Sequence, residues 1–253
     1  MADADGYAQQ ARILRAMSTP DRMFFTFDPG GSKAAEVIGD LTTAKRIAVM
    51  VPGANTTLAT FESSDSRAYK LLGGGARALY DEMRRQRPDT PAAVIAWLGY
   101  HPPAAFDIAL LTTSRADTGA RKLHDLIVDV ERVAPSAQVS LFCHSYGSVV
   151  CGRAANGLHI ADMAFYASPG TGASHASELR TGARIWAGAG SNDWITRIPH
   201  SRIGFFHTTV GLGTDPVSKS FGARRFNAGQ AAHSTYLRPG SVSLKSLARI
   251  ASE

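Results

Sequence analysis

Six short apolar runs, separated by stretches of helical or polar character, constrain this chain more than any other feature. They read RIAVMV (46–51), AAVIAW (92–97), QVSLFC (138–143), DMAFYA (162–167), ARIWAG (183–188) and RIGFFH (202–207). Most are apolar at consecutive positions, which is the pattern of a strand buried on both faces in the middle of a parallel sheet.

The segment between the second and third runs is the strongest helix. Ala116, Ala120, Leu123, Ile127, Val130 and Ala134 recur at spacings of three and four, with Arg121, Lys122, Asp125, Asp129 and Arg132 on the other side. Ser114 and Asp117 have the spacing of a capping box, and Pro135 ends the helix. A second helix is expected over about 65 to 86, weakened by Gly73, Gly74 and Gly75. A third should start near Tyr146 and a last one near Val242. Strand and helix in regular alternation mean an α/β fold, a mostly parallel sheet with helices on both faces. FFTF (24–27) and AAEVIGD (34–40), joined by DPGG, read as a hairpin on the sheet edge.

At 253 residues the chain accommodates one large domain, 1–253, with 1–20 expected to be peripheral or flexible. The net charge of +6 is scattered. The clusters Arg84, Arg85, Arg87 and Arg224, Arg225 are too sparse for a nucleic-acid patch, so no nucleic-acid partner is expected. Two cysteines, Cys143 and Cys151, are too few for a secreted disulfide framework, and Cys143 reads as a free, compact buried residue. MADADGYAQQ has no secretory pattern, and no apolar run is long enough to span a bilayer. A cytoplasmic protein is expected, and the oligomeric state is not legible.

The chemistry concentrates in HSYGS (144–148). Ser-x-Gly occurs three times, at Ser145, Ser168 and Ser220. A nucleophile elbow needs a buried strand in, a tight turn and a helix out. Ser168 is followed by Pro169 and Gly170 and enters a loop; Ser220 has no strand before it. Ser145 alone has QVSLFC before it, Gly147 after it and the helix-compatible SVVCGRAANG beyond. The bland alternative is a small-residue corner without chemistry. Cys143 would point back into the sheet and is not read as the nucleophile.

A serine hydroxyl requires a histidine to accept its proton and a carboxylate to orient that histidine. In such an architecture they follow in the order serine, acid, histidine. Asp193, in the loop AGSND after ARIWAG, fits the acid; Asp215, in GTDP, competes but reads as a turn residue. Of the eight histidines, His233 in QAAHSTYL lies beyond every strand and is favoured, with His207 as runner-up. The oxyanion requires two backbone N–H donors. Tyr146 follows the nucleophile, and PGANTT after the first parallel strand offers Ala54, or alternatively Asn55.

These blocks resemble the alpha/beta-hydrolase superfamily and, more narrowly, a bacterial branch, alpha/beta-hydrolase family eight. The likeness rests on GDLTTAKRIAVMVPGANTT (39–57), WLGYHPP (97–103), HSYGS, SNDWI and HSTYL, in order over roughly 24 to 240. It implies a serine hydrolase with Ser145, Asp193 and His233 as triad, and neither metal nor organic cofactor. Cys143 departs from the family's usual glycine.

The expected activity is hydrolysis of a small-molecule ester, thioester or lactone through an acyl-enzyme. Two alternatives stand beside it: acyl transfer or cyclisation on the same triad, and a non-catalytic binding protein. Tyr100, Phe61 and Trp194 are the expected substrate contacts, with SPGTGASHAS (168–177) as a small, polar loop nearby.

Overall fold

The computed structural model describes residues 11, 13–28, 30, 32–63, 65–104, 113–197 and 212–253. The strands are β1 (Met23–Asp28), β2 (Lys33–Gly39), β3 (Arg46–Val51), β4 (Ala92–Leu98), β5 (Gln138–His144), β6 (Asp162–Tyr166), β7 (Arg184–Gly188) and β8 (Arg224–Arg225). They form one sheet in the order β1-β2-β4-β3-β5-β6-β7-β8. β1 pairs antiparallel with β2, and β2 antiparallel with β4; every later pairing is parallel. This is the α/β architecture the apolar runs predict, with the hairpin at one edge. The run at 202–207 lies outside the described residues. β8 carries no apolar signal, since its two arginines are exposed.

The helices that cover the sheet are α1 (Leu72–Gln86), α2 (Thr113–Val133), α3 (Gly147–Ala154) and α4 (Val242–Ala251). They explain why the central strands are apolar at every position. Ile47, Val49 and Val51 of β3 face one layer, with Leu123, Ile127 and Val130 of α2 and Val150 of α3. Ala48 and Met50 face the other, with Leu79 and Met83 of α1 and Leu244 and Leu247 of α4. Alternate side chains of a strand point to opposite faces, so covering both faces removes the polar half of the pattern. Met17, within the segment expected to be peripheral, is buried in the second layer.

Two local expectations need correction. α2 already includes Thr113, so Ser114 lies inside the helix and not at its cap, and Asp117 pairs with Arg153 at 2.6 Å. The glycines of α1 do not weaken a longer helix: α1 begins just before them, preceded by a 3-10 turn at Ala68–Lys70. A β-carbon on Gly74 would lie 2.3 Å from the Ala68 carbonyl oxygen, and one on Gly75 would lie 2.6 Å from Leu237. These positions are glycine because other chain segments sit against them.

β2 also holds a charge that its apolar neighbours conceal. Glu36 is buried, and its carboxylate receives Arg22 Nε and Nη2 at 2.8 and 2.7 Å and Arg77 Nη2 at 3.0 Å. Two guanidinium groups compensate the desolvation that a lone buried carboxylate would suffer.

Candidate active site

β3 and β5 are neighbours, with Val51 opposite Cys143, so the loops leaving their carboxyl ends emerge side by side. The chain turns from β3 to β4 on one side and returns to β5 on the other. A crevice opens at such a reversal of strand order.

Ser145 stands at this point. It is buried and adopts φ +50°, a left-handed conformation that costs a non-glycine residue about 1–3 kcal/mol. Its N–H donates to the Tyr166 carbonyl at 3.1 Å, which holds the turn against β6. Glycine is required at 147, where a β-carbon would sit 2.5 Å from the Val51 carbonyl oxygen. It is required at 53 as well, where one would lie 2.6 Å from the Ser145 Cβ.

The reading of Cys143 as a free cysteine is overturned. Cys143 and Cys151 form a disulfide that joins the end of β5 to the middle of α3, and both are fully buried. The bridge spans the elbow. Strand and helix faces that look unrelated along the sequence place the two sulfurs together once the chain reverses at Ser145.

Asp193 follows β7 and is buried. Its Oδ1 accepts from the Ile195 N–H at 3.1 Å and lies 2.9 Å from His233 Nδ1; its Oδ2 accepts from the Tyr236 hydroxyl at 2.7 Å. Burial acts to raise its pKa, but the bonds from His233, Ile195 and Tyr236 outweigh that, and the pKa ends below its ordinary value. His233 Nε2 lies 3.1 Å from Ser145 Oγ. Because a carboxylate only accepts, His233 carries its proton on Nδ1, leaving Nε2 bare to receive the serine proton. The acid and histidine loops are tied together: Ser191 N–H donates to the Gly229 carbonyl at 3.0 Å, and a β-carbon on Gly190 would lie 2.1 Å from the Ala231 carbonyl oxygen.

The competing residues lie elsewhere. Asp215 accepts from the Val217 N–H within its own turn, and Ser168 bonds with Gly170 in its loop. His200 and His207 lie outside the described residues. Among the expected oxyanion donors, Ala54 and Tyr146 have N–H groups with no other hydrogen bond among the described residues. Asn55 does not qualify, because its N–H donates to the Pro103 carbonyl at 2.9 Å.

A cavity of about 350 Å3 opens beside Ser145, with Met50, Tyr69, Leu71, Leu72 and Leu237 among its walls and Lys70 at its edge. Trp194 is part of this lining, half exposed, with its ring centroid 4.7 Å from that of His233. The other two expected substrate contacts are not. Tyr100 is buried, stacks on Trp97, lies tilted against Tyr146, and donates its hydroxyl to the Pro52 carbonyl at 2.6 Å. It braces the oxyanion loop from behind. Phe61 is buried against Gly73 of α1. Both are aromatic residues in loops, a signal that does not distinguish a wall of the cavity from a prop beneath it. Among the described residues, no group of three or more His, Cys, Asp or Glu side chains is placed to hold a metal ion.

Two residues of the site carried no role in the sequence reading. Tyr236 is legible only as part of HSTYL, and His144 only as one of the eight histidines, held in the elbow and facing the wrong way to serve as the base. Their partners are 43 and 89 residues away.

A strained serine between a parallel strand and a helix, with an acid and a histidine on later loops, defines the class of fold. The alpha/beta hydrolase family model matches residues 28–203, and the chain belongs to this family. That stretch includes Ser145 and Asp193; His233 lies beyond it. An uncharacterized protein of Mycobacterium tuberculosis is 32% identical over 90% of the chain, and the chain spans 39% of that relative's length. A second uncharacterized protein, from Mycobacterium bovis, is 33% identical over 60% of the chain and 58% of its own length. Among solved structures, an alpha/beta serine hydrolase from Xanthomonas campestris superposes with a TM-score of 0.52 at 15% identity, covering 91% of this chain and 95% of that one. A poly(aspartic acid) hydrolase of a Sphingomonas species gives 0.50 at 11% identity, covering 92% and 98%. These two likenesses concern the fold.

Proposed function

We propose that this protein is a serine hydrolase that cleaves an ester-type bond of a small molecule through an acyl-enzyme on Ser145. The observation that carries the reading is the unbroken chain Ser145 Oγ, His233, Asp193, with contacts of 3.1 and 2.9 Å. His233 Nε2 takes the hydroxyl proton as the Ser145 oxygen attacks the carbonyl carbon. The oxyanion is held by the Tyr146 and Ala54 N–H groups, and Asp193 stabilises the imidazolium. The bond to the leaving group breaks, and the leaving group takes the proton from His233. Water then gives a proton to His233 as it attacks the acyl carbon; the bond from that carbon to Ser145 Oγ breaks, Oγ takes the proton back from His233, and the acid is released.

The cavity walls suit the apolar part of an ester, thioester or lactone. Disulfides persist in oxidising compartments and are rare in the cytoplasm, so Cys143–Cys151 weighs against the cytoplasmic placement expected from the sequence. Among the described residues no helix is long and apolar enough to cross a membrane.

The test is labelling with a fluorophosphonate probe, alongside hydrolysis of p-nitrophenyl esters. An adduct mapped to Ser145 by mass spectrometry, and absent in Ser145→Ala, is the expected result. A folded wild-type protein that neither labels nor hydrolyses would overturn the reading.

A further inference from the structure

His144 sits next to the nucleophile in sequence, yet its ring reaches across to the loop that carries His233. Its Nε2 lies 2.8 Å from the backbone carbonyl oxygen of His233. A carbonyl only accepts, so the proton must be on His144 Nε2, and Nδ1 is bare. That bare nitrogen faces the oxyanion loop: a β-carbon built on Gly53 would come within 3.2 Å of it. The ring also packs against Tyr166 and against the His233 ring, with centroids 5.2 Å away in each case. His144 therefore stands between the oxyanion loop and the histidine loop, touching both.

The histidine loop is tied to the acid loop at Gly229 and Tyr236, and His144 adds a hold at His233 itself. Residues 226–241, between β8 and α4, contain turns but neither helix nor strand. Ala232 N–H donates to Thr235 Oγ1 and Thr235 N–H returns to the Ala232 carbonyl, which shapes the turn locally. The bond from His144 ties that turn to the nucleophile strand. It closes a ring: Ser145 to the His233 imidazole, along His233 to its own carbonyl, across to His144, and through one peptide bond back to Ser145. A sideways shift of His233 stretches two of these contacts together.

We propose that His144 is a positioning residue for His233, its Nε2–H gripping the backbone of the residue whose imidazole receives the Ser145 proton. The proposal rests on the serine-hydrolase reading. His144 is not itself a base for the reaction, because its bare nitrogen faces Gly53 and its other nitrogen is committed. Burial, and then the neighbouring His233, pull its pKa down to about 4, so it remains a neutral donor where hydrolases work. Displacing a reacting group by about 1 Å can slow a reaction about 100-fold. Loss of the tether is therefore expected to appear in the chemical step and to leave ester binding nearly unchanged.

The experiment compares wild type, Ser145→Ala, His144→Gln and His144→Leu. It measures the second-order rate of fluorophosphonate labelling, and kcat and KM on a p-nitrophenyl ester. Glutamine places its amide N–H near the position of Nε2; leucine fills space without a donor. Leucine is expected to lower labelling and kcat about 10–100-fold with KM within about twofold, and glutamine to restore most of the loss. Should the leucine variant not fold, His144→Asn replaces it, since asparagine is polar but too short to reach the His233 carbonyl. Histidine 15N resonances of the wild type provide a readout apart from activity, with His144 expected as the Nε2–H tautomer. Leucine at the wild-type rate, glutamine as slow as leucine, or His144 protonated on Nδ1 would each overturn the proposal while labelling of the wild type still supported the hydrolase. A wild type that does not label at all would remove both.

Discussion

Tyr236 donates its hydroxyl to Asp193 Oδ2 at 2.7 Å, on the oxygen that His233 does not use. The same hydroxyl oxygen accepts from the Gly190 N–H at 2.8 Å. Burial pushes the Tyr236 pKa far up, so it stays protonated and remains a donor. The acid of the site is thus held from behind by a residue of the histidine loop.

Replacing Tyr236 with phenylalanine leaves a buried carboxylate oxygen and the Gly190 N–H without their partner. A hydrogen bond to a charged group contributes about 1.5–3 kcal/mol. Stability is expected to fall by an amount in that range. In addition, kcat should drop about tenfold (roughly 1.4 kcal/mol in the barrier) with KM little changed. Urea unfolding and steady-state kinetics of the purified variant measure both. An unchanged kcat would show that Asp193 is positioned without Tyr236.

The Cys143–Cys151 bridge closes a loop of sequence separation 8. Loop-closure entropy for so short a loop stabilises the fold by about 2–3 kcal/mol. Denatured, unreduced protein should present no thiols and reduced protein two, with a lower urea midpoint after reduction or in Cys151→Ala. Free thiols in protein isolated under acid quench would contradict the bridge.

Trp194 lies over one side of His233 with 47% of its surface exposed. An indole beside a forming imidazolium is worth about 0.5–1 kcal/mol at an exposed site. Trp194→Leu should therefore lower kcat about two- to fivefold, and Trp194→Phe by less. KM should rise as well if the indole also touches the ester. Kinetics on esters of increasing acyl length separate the two effects.

His144 also makes the fold sensitive to pH. In the unfolded chain it takes a proton near 6.5, but in the folded protein only near 4, chiefly because it is buried. Between these values the unfolded state binds more protons, so stability is full above about 6.5 and is lost as pH falls towards 4. The shift corresponds to about 3 kcal/mol. The lowered pKa values of Glu82 and Asp193 add their own loss only below their ordinary 4.5 and 3.8. Urea midpoints at pH 7, 5.5 and 4.5 should decline in the wild type and decline less in His144→Gln. Parallel slopes would show that His144 titrates normally.

The sheet, its hairpin edge and the covering helices were legible because burial on two faces writes itself locally, in runs such as Ile47–Val51 and in the three-four spacing of Leu123, Ile127 and Val130. Ser145 was legible for a similar reason: a strained turn needs a strand before it and small residues after it, all within ten positions. Asp193 and His233 could be singled out from chain order, and the fold brings both to Ser145. The short β8, by contrast, has only two exposed arginines to mark it. Glu36 could not be foreseen as a buried ion-pair centre, because its partners Arg22 and Arg77 lie on other segments.

What the sequence determined by itself is therefore the set of elements and the residues that end them. Tertiary structure alone decided which groups those ends bring together: Cys143 with Cys151, Asn55 N–H with Pro103, Tyr100 beneath Pro52, Tyr236 on Asp193 and His144 on His233. The physical reason is one of range. Periodicity and turn chemistry act between near neighbours along the chain, whereas hydrogen bonds and packing act between near neighbours in space, and most of these pairs become neighbours only after the sheet has assembled.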